Sequence, residues 1–134
     1  MGHEIIKYRD RHAIIHDMDL WVIRQFLLSE AEACDNSELA AFACAWDWVG
    51  PGVYIGKDFD AYFDGDQARE SAFLKLLEGA RLRIESFGDA VPLNYLATNI
   101  QSPIACFGGA LPVPGLVQQL EELKGLFTGA RPVV

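Results

Sequence analysis

Long apolar runs are missing from this chain. The strongest, Leu20–Leu28 (LWVIRQFLL), is nine residues long and already carries Arg24 and Gln25. A helix that crosses a bilayer needs roughly 20 mainly apolar residues. A secretory leader is not expected either, because the opening MGHEIIKYRDRH places charges where such a leader has its apolar stretch. Cysteine is scarce: Cys34, Cys44 and Cys106 are an odd number with no C-x-x-C spacing. That leaves no basis for a disulfide framework or a cysteine-rich zinc site. The expectation is a cytoplasmic chain whose thiols are free and buried.

Positive charge is also in short supply. Eleven Lys and Arg stand against 19 Asp and Glu, for a net charge of −8. The deficit is uneven. Residues 34–70 hold only Lys57 and Arg69 against eight acids, whereas residues 71–134 hold five of each sign. Such a field repels phosphate backbones and anionic membranes and attracts basic surfaces. Nucleic-acid binding, which draws most of its energy from phosphate neutralisation, is not expected.

Signature motifs are absent too. There is no G-x-S-x-G, no G-x-x-x-x-G-K-[ST] and no G-x-G-x-x-G, and no cofactor is expected. The glycines of FGGALPVPG (Phe107–Gly115) precede a helix but lack a following lysine or hydroxyl, so they read as a turn. A catalytic Cys106 in CFGG would need His3, His12 or His16 as its partner, and no family-type signature links them.

What the chain does contain is enough for one domain over residues 1–134. The length is ordinary for a domain, and 51% of residues are hydrophobic. At this size roughly two-thirds of the unfolded surface can be buried, so no metal or disulfide staple is required. EIIKY (Glu4–Tyr8) and HAIIH (His12–His16) read as two strands around a charged turn. Asp17 then suits a helix N-cap, and Met18–Ala33 carries a polar stripe at 25, 29 and 32 with apolar residues nearly everywhere else. Ser37 is the expected cap of a second helix over Asp35–Trp46, with Gly50–Gly52 (GPG) as its breaker. VYIG (Val53–Gly56) reads as a brief strand, and an acidic loop follows. Asp64 or Asp66 would cap the next helix, where Phe73, Leu77, Ala80, Ile84 and Phe87 keep helical spacing. Residues 80–85 also alternate as a strand would, which makes Gly79 the place for any change of structure. Residues 91–100 are ambiguous. Pro114–Phe127 is the clearest helix, with Leu116, Leu120, Leu123 and Phe127 toward the core. The expected class is a helix-rich α+β domain with about four helices and a small antiparallel sheet.

The acidic loop KDFDAYFDGD (Lys57–Asp66) raises the functional question. As a calcium loop it fails. With Gly65 at the sixth position, the third falls on Tyr62 and the twelfth on Ser71 rather than a glutamate. His12 and His16 have H-x-x-x-H spacing, but on a strand they stand about 13 Å apart, too far for one ion. No metal site is expected. Asp58 and Asp60, if extended, would lie about 6–7 Å apart on one face, a separation that glycoside hydrolases use.

Aromatic residues crowd the same region: Trp46, Trp48, Tyr54, Phe59, Tyr62 and Phe63 fall within 18 positions. Alternation along DFDAYFD would put Phe59 and Phe63 on one face, with the aspartates and Tyr62 on the other. Rings beside acids have the make-up of a binding hot spot that steers a basic partner. The expected function is therefore a small protein-binding protein, an inhibitor or immunity-type partner that blocks a basic toxin or nuclease. Its contact residues would be Trp48, Asp58, Phe59, Asp60, Tyr62, Asp64 and Asp66. The alternative is a small hydrolase using Asp58, Asp60, Asp64 or Asp66, with His16 or a metal in support. A homo-oligomer subunit is a third option.

Overall fold

The computed structural model describes residues 3–44, 47–50, 53–55, 59–99 and 109–128. Strands β1 (His3–Tyr8) and β2 (Arg11–His16) form an antiparallel hairpin with Tyr8 opposite Arg11. Its two-residue turn puts Arg9 at φ 58°. Two-residue hairpin turns need positive φ at their first central position. An arginine lacks glycine's freedom there, so the turn needs outside support, and Asp60 supplies it.

Helix α1 (Asp17–Ala33) begins at Asp17 itself, so its cap lies one residue before the expected one. His16 occupies the N-cap position without a side-chain capping bond, and its N–H goes to Gln119 Oε1 at 3.2 Å. Leu20, Ile23, Leu27 and Ala31 are buried, and so are Val22 and Phe26, as a helix surrounded by neighbours requires. Helix α2 (Ser37–Cys44) is capped by Asn36 rather than Ser37: the Asn36 side chain accepts the Leu39 N–H at 3.0 Å. The described helix runs to Cys44, and Trp46, its expected end, lies outside the described residues. Strands β3 (Asp47–Gly50) and β4 (Val53–Ile55) follow as a second hairpin. Gly50, expected to break a helix, is instead the last residue of β3, and Pro51 and Gly52 lie outside the described residues.

Helix α3 (Phe59–Phe63) replaces the expected acidic loop, and α4 (Gln67–Glu85) runs unbroken through Gly79. A Cβ at Gly79 would come within 2.5 Å of the Glu30 carboxyl. The glycine thus marks the crossing of α1 and α4, where Arg83 binds Glu30 at 2.6 Å, rather than a change to strand. The ambiguous segment resolves into β5 (Ala90–Val91) and helix α5 (Leu93–Asn99). β5 pairs with β6 (Leu111–Pro112), which leads directly into α6 (Val113–Thr128).

The molecule is a helix-rich α+β fold, and among the described residues its strands form three separate antiparallel pairs rather than one sheet. α1, α4 and α6 pack against each other, with the first hairpin closing over α6. One continuous cluster of buried side chains runs through all of them. Among the described residues no helix is long and apolar enough to cross a membrane. Cys34 departs from the buried-thiol expectation. It is exposed just past the end of α1, and its Sγ donates to Glu30 Oε2 at 3.5 Å. The side chain of Cys44, and Cys106, lie outside the described residues.

Candidate acidic surface

Two tight turns face each other at one end of the fold. The α3–α4 turn carries Asp64 at φ 45° and Gly65 at φ 72°, and the β1–β2 turn carries Arg9. They are tied at two points. Asp60 Oδ1 accepts the Arg9 N–H at 2.8 Å, and the Tyr8 hydroxyl accepts the Gly65 N–H at 3.1 Å. The Tyr8 hydroxyl in turn donates to Glu70. Burial, and then this bond, raise the Tyr8 phenol above its ordinary pKa. Asp66 is the cap of α4, accepting the N–H groups of Ala68 at 2.9 Å and Arg69 at 3.2 Å.

The rings divide as the residue spacing dictates. Phe59 and Phe63 are one helical turn apart and point inward, at 1% and 0% exposure. Phe59 was expected at the binding surface. It belongs instead to a core cluster with Phe42, Phe63, Phe73 and Phe127, so it cannot touch a partner. Tyr62 stays half-buried. Its ring stacks on Phe42 at 4.1 Å and 17°, and its hydroxyl donates to Glu38 at 2.9 Å.

Arg69 lies over the Tyr62 ring, with its guanidinium carbon 5.0 Å from the centroid. It also donates to the Tyr62 carbonyl at 2.6 Å and pairs with Glu38 at 3.3 Å and Asp66 at 4.0 Å. Neither Glu38 nor Arg69 was among the expected site residues. A signal for Arg69 was available, because it is one of only two cations between residues 34 and 70.

Asp60, Asp64 and Asp66 are all exposed. Asp60 and Asp66 are fixed by backbone N–H groups, whereas the Asp64 carboxylate takes part in no hydrogen bond or ion pair among the described residues. Asp60 lies in helix α3 rather than in an extended segment. Asp58 itself lies outside the described residues. Trp48 contributes its backbone to β3 opposite Tyr54, and its side chain also lies outside them. His12 and His16 stand on one strand, as the sequence implied. Among the described residues, no three His, Cys, Asp or Glu side chains gather to hold a metal ion.

The Tyr62 phenol is pushed up to about 12, first by burial and then by its bond to Glu38. A phenol raised in the folded state binds its proton more tightly there than in the unfolded chain. Its stabilising effect is therefore complete below about pH 10 and is lost as pH climbs through about 12. Unfolding by urea at a series of pH values should show stability falling across that window, and Tyr62→Phe should flatten the fall.

Arg9 and Arg69 offset part of the charge, but Glu38, Asp60, Asp64, Asp66 and Glu70 outnumber them. The result is an outward-facing, net acidic patch in which backbone donors hold Asp60 and Asp66, side chains hold Glu38 and Glu70, and Asp64 stands exposed between them. Comparison with protein-family models, with curated proteins and with solved structures found no match for this chain.

Proposed function

We propose that this chain is a protein-binding protein that meets a basic macromolecule through its acidic turn, as an inhibitor or immunity-type partner of a basic toxin or nuclease. A cytoplasmic location belongs to the same proposal. The observation that carries it is the fixing of Asp60 and Asp66 on either side of the exposed, unengaged Asp64. Carboxylates already held in place lose little freedom when a cation arrives, which lowers the cost of binding. Their exposure supports encounter with a large partner rather than desolvated acid–base chemistry, which needs at least one enclosed carboxylate.

Capture from the native host at low salt tests this reading. The retained protein should be basic, and its association should slow steeply as salt rises. Asp64→Lys, which removes no side-chain hydrogen bond among the described residues, should slow association by about tenfold or more at low salt. The same variant should approach wild-type rates at high salt. Retention of neutral or acidic proteins only, or rates indifferent to Asp64→Lys, would count against the acidic turn.

A further inference from the structure

A mainly polar cleft of about 280 Å³ lies between the first hairpin turn and the start of α4. Arg9, Asp10 and Arg11 line it from the hairpin, Gln67 and Glu70 from α4, and Phe127 from α6. Its two guanidinium groups stand out by what they lack. Arg69, Arg81 and Arg83 each pair with a carboxylate, but among the described residues the guanidinium groups of Arg9 and Arg11 pair with none. That is unexpected in a chain with 19 acidic and 11 basic side chains. Both groups are nonetheless held in place. Arg9 lies 5.6 Å from the Tyr8 ring centroid, and so close over Gly65 that a Cβ there would stand 2.1 Å from its Nη2. Arg11 donates one N–H to the Leu126 carbonyl at 3.3 Å. A guanidinium carries five N–H donors, so both keep donors to spare.

We propose that this cleft binds a carboxylate, met by the Arg9 and Arg11 guanidinium groups, with the apolar body of the ligand against Phe127. The planar fork of an arginine matches the two oxygens of a carboxylate. Phosphate offers oxygens of the same kind, but charge argues against it. The two arginines and the carboxylates of Asp10 and Glu70 sum to zero around the cleft. A monoanion is tolerated there, whereas a dianion would meet both carboxylates with no surplus of positive charge to hold it. Glu70 is engaged by the Tyr8 hydroxyl, which leaves the guanidinium groups to the ligand. Both arginines are exposed, so solvent screens their charge and millimolar affinity is expected. The site takes an anion and does not rest on the role proposed for the acidic turn.

Benzoate tests the site, with benzamide as the uncharged molecule of the same shape. Titrated into the full chain at constant ionic strength, benzoate should saturate with a millimolar Kd and shift the Nε–H signals of Arg9 and Arg11 in nuclear magnetic resonance. Benzamide and inorganic phosphate should each bind at least about fivefold more weakly. Arg9→Gln and Arg11→Gln should each weaken benzoate by about fivefold or more, and Lys75→Gln, outside the cleft, by less than about twofold. Gly65→Ala keeps both charges but displaces Arg9, and should weaken benzoate as well. Far-UV circular dichroism of each variant checks that the fold persists. A peptide with blocked ends and a single glutamate separates the sources: binding as tight as benzoate identifies a side chain of another protein, and binding of benzoate alone a free acid. No saturation by about 50 mM benzoate, equal affinity for benzamide, tighter binding of phosphate, or indifference to both arginine variants would each overturn the site.

Discussion

Phe63→Ala is expected to cost about 3–5 kcal/mol of folding stability. The ring is fully buried and sits at the centre of an aromatic cluster. Its centroid lies 5.6 Å from Tyr8, 5.4 Å from Phe42, 5.6 Å from Phe59, 5.3 Å from Phe73 and 4.8 Å from Phe127. Those partners come from β1, α2, α3, α4 and α6, so no single element can shift to fill the space left by truncation. A domain of this size is stable by about 5–15 kcal/mol in all, which makes the loss a large share of the total. Urea denaturation of the variant measures it. A cost below about 1 kcal/mol would show that the cluster collapses around the cavity or that Phe63 is not central to it. Phe63→Leu keeps most of the volume and should cost clearly less. The acidic turn depends on this cluster, because α3 carries Asp60 outward only while Phe59 and Phe63 are anchored inward.

That division of faces was legible in the sequence, though for a reason that concealed the local structure. A spacing of four satisfies both the two-residue period of a strand and the 3.6-residue period of a helix. Phe59 and Phe63 therefore share a face, and Asp60 and Asp64 the other, whichever way the backbone runs. Extended alternation and helix agree on these four residues, and Ala61 and Tyr62 are the ones that the two periods place differently. The same degeneracy allowed a strand reading of residues 80–85, where Ala80 and Ile84 repeat at four and in fact face the core along α4. Long periodic segments escaped this ambiguity: Leu116, Leu120 and Leu123 of α6 are buried as their spacing required. What no local pattern could reveal were contacts between distant segments. Asp60 bonds a turn 51 positions away, and Arg69 covers a ring that also holds Glu38. Acidity was readable as composition, but its partial neutralisation by Arg9 and Arg69 is a property of the tertiary fold.

Tyr8→Phe should destabilise the protein by about 1–3 kcal/mol, more than the loss of one exposed hydrogen bond. The ring is 2% exposed, and its hydroxyl serves two partners, accepting from the Gly65 N–H and donating to Glu70. Deleting one oxygen leaves a donor and an acceptor short of partners in a partly buried site, and each then bears a desolvation cost. A double-mutant cycle with Glu70→Gln separates the two contacts. Coupling of about 0.5 kcal/mol or more between Tyr8 and Glu70 is expected, and additivity would mean that the Gly65 bond carries the effect. The consequence for binding differs from that of Asp64→Lys. Tyr8→Phe leaves every carboxylate in place but frees Gly65, the residue beside Asp64, so charge steering should survive while the turn loses its fixed geometry. Association with a basic partner should then be nearly unchanged and dissociation faster, whereas Asp64→Lys acts mainly on association. Hydrogen exchange at the Gly65 amide supplies the independent check. It should accelerate in Tyr8→Phe, and an unchanged exchange rate would show that the hydroxyl does not hold the turn.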